Sequence, residues 1–213
     1  MKRTLVPLAL LLPLAAGCVV DVQGSGIPRE EARFTADFRR IEARDTLHAQ
    51  VIAGVAPSVI VHGDDNIVPI IRTDVIDGRL IIDADLSYAS SLDVGVLVTV
   101  PDVDAVTARD LARVEVDGVN TASLAVEAED LADVRVAGLC GDVAVWASDL
   151  ATVDAIALFA ATAHVEASDS ATAEVHARQL VTGSVSDSAT AHVFGRPWVV
   201  DIVVTDAAVL VLE

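Results

Sequence analysis

The stretch Asp110-Leu-Ala-Arg-Val114 returns along the chain as Asp130-Leu-Ala-Asp-Val134, Asp149-Leu-Ala-Thr-Val153, Asp169-Ser-Ala-Thr-Ala173 and Asp187-Ser-Ala-Thr-Ala191. Successive copies are 20, 19, 20 and 18 residues apart. A near-constant short period is the signature of a solenoid, in which each repeat is one supersecondary unit buried only by its neighbours. Strand periodicity then sorts the columns, because successive side chains point to opposite faces. Val114, Val134, Val153, Ala173 and Ala191 fall on the inward side, as do Val116, Val136, Ala155, Val175 and Val193. Between them lie Glu115, Arg135, Asp154, Glu174 and His192, which would be costly to bury unpaired and so face water.

The residues before each Asp alternate in the same way. Leu124, Val143, Ala163 and Val181 point inward, and Ala125, Ala144, His164 and Thr182 outward. Val126, Val145 and Val165 return inside, while Glu127, Trp146, Glu166 and Ser184 are outside. Each repeat is therefore two short strands joined by corners, and stacked copies pair in parallel. Five copies give a rod of about 24 Å at the strand spacing of about 4.8 Å. Leu111-x-x-Val114-x-Val116-x-x-Val119-Asn120 also fits the leucine-rich repeat consensus. That fit decays where Ser170 and Ser188 replace the leucine, and β-branched residues fill the half that such repeats make helical. An all-β coil is the better reading.

The outer bounds agree. The 213 residues are 53% hydrophobic but only 3% aromatic, so a core must be built from Ala, Val, Ile and Leu. The formal charge of −18, which becomes −20 without Lys2 and Arg3, repels phosphate backbones and anionic lipid head groups. Nucleic-acid binding is excluded on that ground.

Lys2 and Arg3, the apolar run Leu5 to Leu14 and the small residues Ala15, Ala16 and Gly17 form an export signal over residues 1–17, too short to span a bilayer. Cys18 follows, and the junction resembles the lipobox of bacterial lipoproteins, whose cysteine is diacylated. The resemblance implies a membrane anchor at Cys18 and a place in the cell envelope, at the outer membrane or the cell surface. Residues 18–30, with Gly24, Ser25, Gly26 and Pro28, read as a tether. Phe34, Phe38 and Ile41 share one side of the next segment, and residues 31–213 read as one domain. It has a β-rich N-terminal portion, 31–104, packed as a cap on the repeats, 105–213.

Leu47 to Val100 is punctuated by Gly54, Pro57, Gly63, Asp77-Gly78 and Pro101. Its segments Ala56-Pro-Ser-Val-Ile-Val-His-Gly-Asp-Asp-Asn-Ile-Val68, Asp77-Gly-Arg-Leu-Ile-Ile82 and Val98-x-Val-Pro101 resemble the head GIN domain family, also called auto-transporter adhesins. The resemblance continues through the Asp repeats into Phe194-Gly-Arg-Pro-Trp198. It implies an all-β, right-handed parallel β-helix or β-roll solenoid that is exported and often lipid-anchored, with no established catalytic residues.

Candidate chemistry is thin. The Asp column could hold calcium, but the Gly-Gly-x-Gly-x-Asp loops of calcium-binding rolls are absent, and Asp at a corner serves a turn. His164, Glu166, Glu174, His176 and His192 include zinc-ligand types, but fall in different columns and read as exposed polar positions. His62-Gly-Asp-Asp65 reads as a turn. Ser168, Ser170 and His164 lack the elbow of a hydrolase. Cys140 reads as a small buried hydrophobe and Trp198 as a closure of the solenoid end. Trp146, in an outward column beside Glu127 and Glu166, is the candidate binding residue, able to stack on a sugar ring or a partner side chain. The sequence implies no cofactor and no metal. It predicts a non-enzymatic recognition module for glycan or envelope protein, with a self-associating structural component as the alternative.

Overall fold

The computed structural model describes residues 21–213. The chain is a β-solenoid, with a single 3-10 turn at Val68–Ile70 as the one helical element among the described residues. In each coil the chain runs along one sheet, rounds a tight corner, and returns along the second. The long strands Arg113–Ala128, Asp133–Ala147, Thr152–Ala167 and Thr172–Val185 each contribute to both sheets and pair in parallel with the next. Thr190–Phe194 with Val209–Leu212, and Val199–Val204, extend the two sheets at the C-terminal end.

The columns expected inside are inside. Val114, Val134, Val153, Ala173 and Ala191 are fully buried, and Val126, Val145 and Val165 with them. Glu115, Arg135 and Asp154 stand in register on successive strands, facing out.

The Asp column makes one corner of every coil. Asp45, Asp110, Asp130, Asp149, Asp169, Asp187 and Asp206 all have φ between 58° and 62°. Asp tolerates this left-handed region better than most residues because its short polar side chain can bond locally. The next residue but one closes the turn, as in Ala132 N–H donating to Glu129 O at 3.2 Å. The corners also stack. Leu131 N–H donates to Asp110 O, Leu150 N–H to Asp130 O, and Ser170 N–H to Asp149 O, each at 2.8 Å. Sequence periodicity found five of these seven corners; Asp45 and Asp206 are followed by Thr46-Leu47 and Ala207-Ala208 instead of the Leu-Ala or Ser-Ala signature. The positive φ supports the turn role of the Asp column.

The opposite corner is irregular. Register shifts fall between Val116 and Val119, between Arg135 and Gly138, and between Ala155 and Phe159. The uneven spacing of the repeats is absorbed there, so the Asp corners stay aligned. On the second strand of a later coil, Gly183 has φ +135°, and a Cβ there would lie 1.8 Å from Val165 O, so only hydrogen fits.

Four expectations are corrected. The portion 31–104, expected to pack as a cap on the repeats within one domain, instead continues both sheets. His48–Ala53 pairs in parallel with Arg113–Ala128, and Arg40–Ala43 with Ala105–Ala108. Antiparallel pairs finish this end, Ser58–Asp64 with Pro28–Arg33 and Ile71–Ile76 with Arg79–Ala84. Within the segment 18–30 expected as a tether, the described part is fastened to the solenoid. Val22–Gln23 pairs with Tyr88–Ala89, and Pro28–Arg33 is a full edge strand; neither follows from local composition, because both depend on a partner distant in sequence. Phe38 and Ile41 are buried, but Phe34 is fully exposed, and Trp198 is 83% exposed instead of closing the end. Leu111, Leu131 and Leu150 project outward from the Asp corner, opposite to their place in a leucine-rich repeat. Cys18 and the signal segment lie outside the described residues.

The corner makes a test. Asp130→Ala should lower stability by about 1–2 kcal/mol, from the left-handed cost and the loss of the carboxylate that accepts Asp110 N–H at 3.3 Å. Asp130→Asn, which keeps both properties, should cost less than half as much by urea unfolding.

Candidate functional site

The outward column of the second sheet holds the candidate residues. Parallel pairing aligns Glu42 with Thr107, Thr107 with Glu127, Glu127 with Trp146, Trp146 with Glu166, and Glu166 with Ser184. Two residues further along each strand runs a second outward column, Arg44, Arg109, Glu129, Ser148, Ser168 and Ser186. Between these columns lies an open groove of about 300 Å³ lined by Glu127, Glu129, Trp146, Glu166 and serines. Its floor is Ala128, Ala147 and Ala167, whose buried methyls leave the rims standing above it.

Trp146 is 38% exposed. It is held by an edge-on contact with His164, ring centres 6.3 Å apart, and does not pack against the N-terminal portion. His164 in turn lies 3.0 Å from Glu166 Oε1 through Nε2 and 3.1 Å from Thr182 Oγ1 through Nδ1. The structure therefore brings Glu127, Trp146 and Glu166 together on three adjacent strands.

The N-terminal end of the same column is an ion network that sequence reading missed. Glu42 is 1% exposed. Arg44 Nε donates to Glu42 Oε1 and Arg79 Nη1 to Oε2, both at 2.7 Å, while Arg109 Nε stands 3.8 Å away. Burial pushes the Glu42 carboxyl up, but the hydrogen bonds and charges of Arg44 and Arg79 outweigh it and hold the group below the usual carboxylate range. Arg109 also reaches Glu127 at 3.5 Å and bonds Glu129. Burial pushes the Glu129 carboxyl up; Arg109 opposes this, and Glu127 adds to it. The signal was the strand alternation around Ile41 and Ala43, which points Glu42 outward; only the fold covers it with three arginines.

The remaining candidates are scattered. Glu174 and His192 pair in register on the first sheet, away from His164 and Glu166. His176 sits at the irregular corner, edge-on to Phe159 with centres 4.6 Å apart, and Phe194 follows it in register. No group of three or more metal-ligand side chains converges among the described residues. Cys140 is buried and free; its thiol lies 3.0 Å from Asp142 O, and burial pushes its pKa up. Asp64, placed in a turn by its neighbours, is fully buried. It accepts Gly26 N–H at 2.6 Å and the Ser90 hydroxyl, fastening the N-terminal segment to the solenoid.

The comparisons agree with this architecture. The family described as "Putative auto-transporter adhesin, head GIN domain" matches over residues 37–197. The chain belongs to the head GIN domain family. A putative adhesin from Bacteroides fragilis superposes with a TM-score of 0.74 at 16% identity, covering 90% of this chain and 100% of that one. A putative adhesin from Parabacteroides merdae gives 0.54 at 11% identity, covering 91% and 99%. A putative lipid binding protein from Parabacteroides distasonis gives 0.53 at 14%, covering 90% and 100%. At such identities the likeness is one of fold. No curated protein matches this chain. Family membership supports a general adhesion-like role for this head GIN domain.

The buried ion cluster makes the next test. Because the folded pKa of Glu42 lies below its unfolded value, its contribution is present above about pH 4.3 and is lost as pH falls through the folded value. Glu42→Gln should destabilise by on the order of 2 kcal/mol at pH 7, less than for fully buried pairs because Arg44 and Arg79 are about two-fifths exposed. The gap between wild type and variant should narrow in melts as pH falls below about 4.3.

Proposed function

We propose that this head GIN domain is a non-enzymatic recognition module on an exported lipoprotein, anchored through Cys18 at the outer membrane or cell surface. It binds a glycan or protein on the Trp146 face of its second sheet. One observation carries this reading: a tryptophan stands in a groove on a solvent-facing sheet, aligned between Glu127 and Glu166, where nothing in the fold requires an aromatic ring. Aromatic residues in partly enclosed grooves are the usual anchors of recognition. The family's adhesin description supports the same class of function.

A second reading, a self-associating envelope component, is favoured by the last coil. There Val199, Val203, Val209 and Leu212 are exposed on strands that end both sheets among the described residues. Such apolar edges are prone to pairing with another chain.

The full chain in detergent, applied to a glycan array and to envelope extracts with calcium or with chelator, distinguishes the two. A hit reduced at least tenfold in Trp146→Ala supports the recognition site. Hits untouched by Trp146→Ala make this the wrong face, and silence with concentration-dependent assembly supports the second reading. The anchor has its own check: Cys18→Ser should move the protein from the membrane to the soluble fraction of expressing bacteria.

A further inference from the structure

We propose that the Trp146 groove takes the cationic side chains of a basic, extended segment of a partner protein, a guanidinium or ammonium group lying against the Trp146 ring between Glu127 and Glu166. This rests on the recognition reading above and names the chemistry of its ligand.

The argument comes from how the two outward columns change along the rod. In the N-terminal coils the inner column supplies Glu42 and Glu127, and the outer column supplies the cations Arg44 and Arg109 beside them. Arg109 shows what this sheet accepts: its guanidinium lies among Glu42, Glu127 and Glu129. Beyond that coil the acids continue, with Glu129 in the outer column and Glu166 in register beside Trp146, and the outer column then changes to Ser148, Ser168 and Ser186. These side chains are too short to reach Glu166 with a charge. Among the described residues its one ionisable partner within salt-bridge range is His164. The carboxylate ladder therefore runs past its own cations, and the place they occupied becomes an open groove with an aromatic wall.

The physical chemistry of that groove selects a cation. A cation within about 6 Å of an indole face is attracted by the ring quadrupole, and tryptophan is the best such partner. Flanking carboxylates about 4.8 Å away on either strand add Coulomb attraction, and the serine hydroxyls can accept N–H donors along the rim. Anionic ligands are repelled by the same groups and by a chain carrying −18. A neutral sugar could stack on Trp146 but would draw nothing from the charge of Glu166. An arginine side chain uses ring and carboxylate together, since its planar group both stacks and donates.

The test uses the only two tryptophans of the chain. In a Trp198→Phe background, which alters an exposed ring, Trp146 is the sole indole. A hexa-arginine peptide is titrated into the full chain in detergent at moderate salt, and Trp146 emission and the anisotropy of labelled peptide are followed together. Maltohexaose serves as the neutral probe. The proposal expects a saturable change in Trp146 emission that tracks peptide binding. Affinity should be at least fivefold weaker in Glu127→Gln/Glu166→Gln, and within twofold of the parent in Asp74→Asn/Asp93→Asn, which removes equal charge at the N-terminal end. Because Glu127 also holds Arg109 and Thr107, Glu166→Gln alone provides a variant that leaves those contacts intact; it should weaken binding at least twofold.

Peptide binding that leaves Trp146 emission unchanged overturns the proposal. So does equal weakening by the two double variants, which would mean attraction by the overall field. If maltohexaose moves Trp146 emission and hexa-arginine does not, the cationic ligand is wrong while the recognition face stands. If neither probe moves it and Trp146→Ala leaves every array hit unchanged, the recognition face falls as well.

Discussion

The structure depends on a corner that must turn through left-handed backbone once per coil. A solenoid with two sheets is stable only if every coil reverses at the same place, because a displaced corner would break the parallel ladders on both sides of it. Aspartate at φ near 60° meets that requirement at seven corners, and from Asp110 onward the amide after each Asp bonds to the Asp carbonyl of the coil before. The stack leaves the carboxylates side by side at the ridge, where their repulsion is tolerated because they stand in water. Glycine would turn as readily, at a larger entropic cost. Alanine flanks the corner, as at Ala128 and Ala132, because the two sheets converge there and leave no room for larger side chains.

Fixing one corner frees the other. Repeats differ in length by up to two residues, and the irregular corner near Gly118, Gly138 and Phe159 absorbs the difference through register shifts. The inward columns then remain aligned, and the core of the repeat coils is closed mostly by valine and alanine. Outward columns inherit the same alignment. Parallel, in-register stacking turns any outward position into a ladder of side chains about 4.8 Å apart, so chemistry on this surface is read along the rod instead of along the chain.

That geometry explains why one ladder carries both a structural ion network and a binding groove. Near the N-terminal end Arg79–Ala84 pairs in parallel beside Arg40–Ala43, and Glu42 is buried by the side chains of Arg44 and Arg79, which compensate its desolvation. A few coils later no arginine stands in the neighbouring column, and the same column presents Trp146 and Glu166 to solvent. The neighbouring column passes from Arg44 and Arg109 through Glu129 to Ser148, Ser168 and Ser186, and that loss of cations separates a closed network from an open groove.

The repeat, the strand alternation and the role of Asp were legible in the sequence, because each follows from local backbone geometry: a period, a two-residue side-chain alternation, and a residue that tolerates positive φ. The same alternation placed Glu127, Trp146 and Glu166 outward in one column before any coordinates. What it could not give was contact at a distance in sequence. Only tertiary pairing decided that Pro28–Arg33 is an edge strand and not a tether, that Phe34 and Trp198 stay exposed, and that Asp64 anchors the N-terminal segment. The same holds for Glu42, which reads as one more outward acid until Arg44, Arg79 and Arg109 converge on it from three separate strands or corners. Local sequence determines which face a side chain takes, while burial and pairing depend on which other segment covers that face.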